Sequence, residues 1–420
     1  MAGRGALLVS KLRFTEFAGD PIQHLQLGDA TTESTERNGD GQAAAQIMGV
    51  SKVEGIVPME ERIIAADTAR YKFVRKDWFA YNPMRLNIGS IARWQGDDDI
   101  LVSPDYVVFK CKSSGPHRLD PVYLDHFRRY DPWEDFVSEK GDGSVRVRIY
   151  YKDLARLELA LPSFPEQQKI ADCLDSADAL IAAQGRKVDA LKAHKEGLMQ
   201  QLFPRPERVE NGIKIPAETQ PRLRFPEFEG AGEWEPRTVG SVCTSFSGGT
   251  PNTSNPEFYG GDIPFIRSAE IGKETTELFL TRTGLENSAA KLVKKGDVLV
   301  ALYGANSGDV AIGKIAGAIN QAILCLRPSV NGAFLSHFLT HRKDWIITKY
   351  IQGGQGNLSG EIVKSIGLVF PSPTEQQRIA DCLTSHDDLI AGATRKLNAL
   401  KTHKKGLMQQ LFPQIGEGDA

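Results

Sequence analysis

The chain writes one segment twice. "SFPEQQKIADCL" starts at Ser163 and "SPTEQQRIADCL" at Ser372, 209 positions later. The repeat runs without gaps from Leu161 to Pro204 and from Phe370 to Pro413; about two-thirds of its positions are identical, and both copies end in "GLMQQLFP". A shorter repeat opens each half: "KLRFTEF" from Lys11 and "RLRFPEF" from Arg222. A period above 200 residues is too long for a solenoid, whose units run about 20–50 residues. It implies a duplicated domain with two-fold pseudosymmetry: a globule, a repeated segment, a second globule and the segment again.

The repeated segment predicts a long helix. Ser163 with Glu166, and Ser372 with Glu375, have the spacing of a capping box, in which both side chains satisfy free first-turn N–H groups. Pro165 and Pro373 fall in the first turn, where proline costs little, and Pro204 and Pro413 end the pattern. Between them, apolar residues recur in alternating steps of four and three. The first copy carries Ile170, Leu174, Ile181, Val188, Leu191, Leu198 and Leu202. The second carries Ile379, Leu383, Ile390, Leu397, Leu400, Leu407 and Leu411. This is a heptad seam, and Gln184, Lys195, His386 and Lys404 interrupt it as register-fixing polar positions do. Two such stripes with one spacing are expected to pair with each other. His194 and His403 match across the repeat and are expected to face solvent or a partner.

The segments between are different. Apolar β-rich runs such as "YVVFK" (Tyr106–Lys110), "DVLVALY" (Asp297–Tyr303) and "AILCLRP" (Ala322–Pro328) alternate with turn-rich stretches such as "GGTPNTSNP" and "GANSGD". "RLNIGSIARW" lies over "ANSGDVAIGK", and "VYLDHF" over "AFLSHF", so the globules are expected to share a fold while their surfaces differ. The predicted fold class is α+β: two mixed α/β globules separated by two long antiparallel coiled-coil helices, duplicated about a pseudo-two-fold. The first globule spans 1–160, the first helix 161–204, a linker and the second globule 205–369, the second helix 370–413, and a tail 414–420.

Composition narrows the function. Five scattered cysteines with no C-x-x-C argue against a disulfide framework and a zinc site. No signal peptide is evident and no run of 18 apolar residues predicts a membrane span, so a cytoplasmic setting is expected. The net charge of −2 lacks the basic excess of a protein that holds nucleic acid alone. If the chain binds DNA, either its charge is sorted by face or partners supply much of the phosphate contact.

The doubled "PxxEQQxIAxxL…GLMQQLF" helix, each copy following a globule, resembles the specificity subunit of type I restriction–modification systems, from about residue 11 to 413. "RLRFPEF", "KDWFAYNPMRLNIGSI…VSPDYVVF" and "GGTPNTSNPEFYGGDIPFI" are similar to segments of that family's target-recognition domains. The resemblance implies a non-catalytic chain. Each globule would read one half of a bipartite, asymmetric site in double-stranded DNA, and the helices would set the spacer. It further implies two modification subunits docked on the helices, which methylate adenine with S-adenosylmethionine, and restriction subunits that use ATP and Mg2+. The chain itself would bind no cofactor.

A catalytic alternative, a self-contained adenine methyltransferase or nuclease, finds little support. "NPMR" at Asn82–Arg85 departs from the Asn-Pro-Pro-aromatic pattern that grips a flipped adenine: Met84 replaces the second proline and Arg85 the aromatic. "GANSGD" lacks the lysine and hydroxyl of a phosphate loop, and no metal-ligand motif is present. A pure scaffold would not need two large, diverged globules.

Base edges are read by Arg or Lys on guanine and by Asn or Gln on adenine. The loop candidates are Arg75, Lys76, Tyr81, Asn82, Arg85 and Asn87 in the first globule. In the second they are Asn252, Thr253, Arg267, Tyr303, Asn306, Ser307 and Gln355.

Overall fold

The computed structural model describes residues 7–39, 46–59, 68–139, 148–350 and 357–416. Gln355 lies outside them. The chain divides into two units, Met1–Gln184 with Lys396–Ala420, and Gly185–Arg395. Each unit therefore holds one globule, the first half of that globule's own long helix, and the last half of the other long helix.

The two repeated segments are helices of equal length, Phe164–Leu202 and Pro373–Leu411, 39 residues each. Every seam residue named above is buried or half-buried, whereas Leu180 and Leu389, equivalent across the repeat, are 59% and 56% exposed. Within each unit the two helix segments run antiparallel, and the polar seam positions pair. Lys404 Nζ lies 2.6 Å from Asp178 in the first unit, and Lys195 Nζ 2.5 Å from Asp387 in the second. The lysines are almost buried, so each carboxylate offsets a desolvation cost that an unpaired ammonium would leave uncompensated. Behind each aspartate stands a globule histidine: His126 Nδ1 is 3.9 Å from Asp178 and His337 Nδ1 3.9 Å from Asp387.

The serine half of the predicted capping box forms in the second copy, where Ser372 Oγ accepts from the Glu375 N–H at 3.3 Å. The glutamates do something else. Glu166 accepts two hydrogen bonds from Arg13, at 2.8 and 2.7 Å, and Glu375 two from Arg224, both at 2.7 Å. Each arginine comes from the short repeat. The leucine before it donates its N–H to the last turn of the other helix, Leu12 to Gln410 O and Leu223 to Gln201 O, both at 3.0 Å. Each short repeat is thus a clasp between the start of one long helix and the end of the other. A long-range bidentate ion pair outcompetes the local cap because the planar guanidinium matches the carboxylate.

The next residue fastens the globule. Gln167 accepts from the Asp120 N–H at 2.8 Å and donates to Arg118 O and Pro162 O. Asp120 in turn caps helix Pro121–Phe127 through the Val122 and Tyr123 N–H groups. Gln376 repeats this on Asn331, which caps helix Gly332–Tyr350.

The globules share one strand topology. In the first, Thr31–Ser34, Val107–Cys111, Phe79–Tyr81 and Ile91–Arg93 form an antiparallel sheet in that order. A second sheet runs Gly55–Pro58, Ile47–Ser51, Ile100–Val102, Lys72–Val74, its central pair parallel. In the second globule the orders are Cys243–Ser247, Ile323–Pro328, Val298–Ala301, Val310–Ile312, and Phe279–Leu280, Tyr259–Ile266, Gly317–Ile319, Lys291–Val293, again with a parallel central pair. Ile91–Arg93 and Val310–Ile312 therefore occupy equivalent strands, one residue off the register of the sequence overlay.

The main cores sit where globule meets helix. Phe109, Tyr123 and Phe127 pack with Leu174, Leu411 and Phe412 in the first unit; Phe334, Phe338 and Leu368 pack with Phe203, Ile379 and Leu383 in the second. Strand Arg208–Glu210 follows the first long helix and pairs with Ile213–Ile215 across Asn211 and Gly212, both left-handed, with φ of 51° and 80°. Strand Gln414–Gly416 follows the second long helix and pairs with Leu7–Val9.

Candidate nucleic-acid interface

Equivalent hairpin loops project from the antiparallel sheets. In the first globule, residues 82–90 join Phe79–Tyr81 to Ile91–Arg93. Asn82 Oδ1 accepts from the Met84 N–H at 3.0 Å, and the Arg85 carbonyl accepts from Ile88 at 3.3 Å and Ser90 at 3.0 Å. Gly89 takes φ 89°, a left-handed conformation that glycine adopts at no steric cost. Ser90 Oγ donates to Val50 O at 2.9 Å, tying the loop to hairpin Ile47–Pro58. "NPMR" is therefore a tight, internally bonded turn.

This geometry sorts the candidates. Arg85 and Asn87 are exposed, and among the described residues no side chain pairs with either. Asn82 is half-buried and spends its carbonyl on the turn. Tyr81 belongs to the core: it is fully buried, edge-on to Phe109 at 6.3 Å, and burial pushes its hydroxyl far above the ordinary tyrosine range. The loop begins one residue after it. Arg75 is held by Glu36 in a bidentate pair and by Asp99 at 3.1 Å, and Lys76 by Asp97 at 2.6 Å. Neither cation is free as the structure stands.

In the second globule, residues 302–309 form the equivalent loop. Tyr303 is 38% exposed and Asn306 half-buried. Ser307 is buried and donates to Leu302 O at 2.9 Å, so it braces the loop from inside. Arg267 is clamped by Glu270 at 2.9 Å and Glu277 at 2.5 Å, which holds Glu270 down at about 2. Asn252 and Thr253 are exposed; Asn252 Oδ1 accepts from the Ser254 N–H at 3.0 Å, leaving its amide N–H groups available.

Sequence reasoning missed the tip of hairpin Ile47–Pro58. Lys52 is exposed and Val53 is 88% exposed, and both share a cleft of about 890 Å³ with Asn87, Ile88 and Arg129. The only signal was the short turn "SKVEG" between two β-prone runs.

A model of the type I restriction modification DNA specificity domain matches residues 231–402. A type I restriction enzyme specificity subunit of Methanocaldococcus jannaschii is 24% identical over 362 residues, covering 84% of this chain and 81% of its own. The Escherichia coli EcoR124I/EcoR124II specificity subunit is 26% identical over 180 residues, 40% of this chain and 44% of its own. In fold, the chain is similar to the type I restriction–modification S subunit from M. genitalium, with a TM-score of 0.60 at 12% identity, covering 97% of this chain and 100% of the other. No helix among the described residues is long and apolar enough to cross a membrane. With the duplicated helix and the shared globule topology, these likenesses agree: the chain is similar in sequence and in fold to type I restriction–modification specificity subunits.

Proposed function

We propose that this chain is the DNA-sequence-specificity subunit of a type I restriction–modification complex, with each globule reading one half of a bipartite, asymmetric site. The observation that carries this is the contrast within the duplication. The helices, clasps and strand orders repeat, whereas the loops at equivalent hairpins differ, "NPMRLNIGS" against "LYGANSGD". A common frame with unlike reading edges calls for unlike half-sites.

The long helices set the spacer and dock two modification subunits. Their 39 residues, at about 1.5 Å each, make rods of tens of ångströms, on the scale of one to two turns of DNA at roughly 34 Å. S-adenosylmethionine, ATP and Mg2+ belong to the modification and restriction subunits, and this chain is non-catalytic. Its five free cysteines suit a reducing cytoplasm. The net charge of −2 fits a reader whose partners bring most of the phosphate contacts.

Co-expression with a modification subunit, followed by selection from random duplexes, tests the reading. The expected result is one split sequence with adenine methylated in it. The chain alone is expected to transfer no methyl groups. Methyl transfer by the chain alone, or a complex without sequence preference, would overturn it.

A further inference from the structure

We infer that the first globule reads its half-site with Arg85 and Asn87, and that the bare tip of the neighbouring hairpin, Lys52 and Val53, enters the same DNA groove. The inference rests on the DNA-reading function proposed above and assigns its residues.

Three observations converge on this face. The first is elimination by pairing. Of the loop cations the sequence offered in this globule, Arg75 and Lys76 are committed to carboxylates, while Arg85 projects from its turn with no acidic partner among the described residues. A guanidinium that is exposed and unpaired keeps both parallel N–H donors for the O6 and N7 atoms of a guanine. Asn87, two positions on, offers the amide pairing that suits adenine.

The second is rigidity. The loop is bonded to itself through Asn82 and Arg85, turned by Gly89, and pinned to the hairpin by Ser90. A β-carbon on Gly89 would stand 3.7 Å from Lys52 Cγ, so loop and tip lie against each other. A reading edge held this way loses little order on binding.

The third is the apolar crest. Val53 at 88%, Ile88 at 50% and Met84 at 46% are all exposed, with Lys52 and Arg85 next to them in the chain and Glu54 the one acidic neighbour in the hairpin tip. A valine at the end of a hairpin contributes nothing to the core. An apolar crest beside a lysine fits a DNA groove, where it wedges a base step while the lysine meets phosphate. An acidic or purely apolar protein partner would leave the paired donor geometry of Arg85 and Asn87 unused.

The test uses the complex with its modification subunit and the split sequence selected by it. Arg85→Ala is expected to weaken binding about tenfold to a hundredfold and relax one position of one half-site, leaving the other half-site's letters unchanged. Asn87→Ala is expected to relax a neighbouring position. Val53→Asp is expected to weaken binding at least about tenfold without relaxing any letter, since it sets a carboxylate against the groove. Lys52→Ala is expected to weaken all sequences alike and lower the salt dependence by about one phosphate contact. If the unaltered complex selects a split sequence and the Arg85 and Asn87 variants select the same letters with the same affinity, the assignment falls while the specificity function stands. If the unaltered complex selects nothing, the function itself falls.

Discussion

Acidification from pH 7 to pH 4 is expected to strip the second unit of several kcal/mol of stability. His337 and His341 lie on helix Gly332–Tyr350. Burial, reinforced by Lys195 beside one and Arg342 beside the other, pushes both down to about 4. An unfolded chain would protonate them near 6.5. The folded value is the lower one, so the unfolded state binds more protons between the two, and stability rises with pH across that window. It is fully present above about pH 6.5 and lost as pH falls towards 4. For His337 the full loss is about 3 kcal/mol, at 1.36 kcal/mol per unit; His341, only partly buried, contributes less because solvent screens it. Urea titrations at pH 4, 5, 6 and 7, followed through buried Trp234, measure this. His337→Gln is expected to remove about half of the slope or more. An unchanged slope in the double variant with His341→Gln would exclude these histidines as its source.

The second large effect concerns the clasps. Glu375 is 1% exposed and its whole charge is met by Arg224, which also donates to Ala231 O and Gly232 O. Arg224→Ala strands a buried carboxylate and is expected to cost about 3–5 kcal/mol. The urea midpoint should fall with an unchanged denaturant slope. Arg224→Met with Glu375→Leu, which removes both charges and keeps the volume, is expected to recover most of that loss, since replacing a buried pair by apolar residues is often neutral. Arg13 and Glu166 should behave alike in the first unit, because the geometry repeats within 0.1 Å. A loss below about 1 kcal/mol would mean that the clasp adds little to the helix packing.

These effects separate what was legible in the sequence from what was not. The helices were legible to within two or three residues, because a heptad seam bounded by prolines is a local pattern. The duplication of the globules was visible only as faint overlays, yet those overlays fell on equivalent elements, one on strands and one on helices. The short repeat was plain as text and opaque as structure: Arg13 meets a carboxylate 153 positions away, which no period announces. The same pairing defeated the capping box at its glutamate, since tertiary context overrode a local rule. Among the candidate readers, Tyr81 is interior because its loop starts one residue later than composition suggests, and Ser307 because its hydroxyl turns inward to brace its own loop. Arg75, Lys76 and Arg267 were claimed by carboxylates 3 to 39 positions away. Exposed, unpaired donors cannot be told from exposed, paired ones until the fold supplies the partners.

The strand pairs that follow the long helices are closed in two different ways. After the first helix, Arg208–Glu210 turns at Asn211–Gly212 and pairs with Ile213–Ile215 before the next globule begins. After the second helix, Gln414–Gly416 pairs with Leu7–Val9, which leads into the first globule in the same way. Each unit thus carries one such strand pair, and in each it stands between the end of a long helix and the start of a globule. In the second unit the two strands are joined through Asn211 and Gly212, whereas in the first they come from opposite ends of the described chain, so the same joint is made once by a covalent turn and once by hydrogen bonds alone.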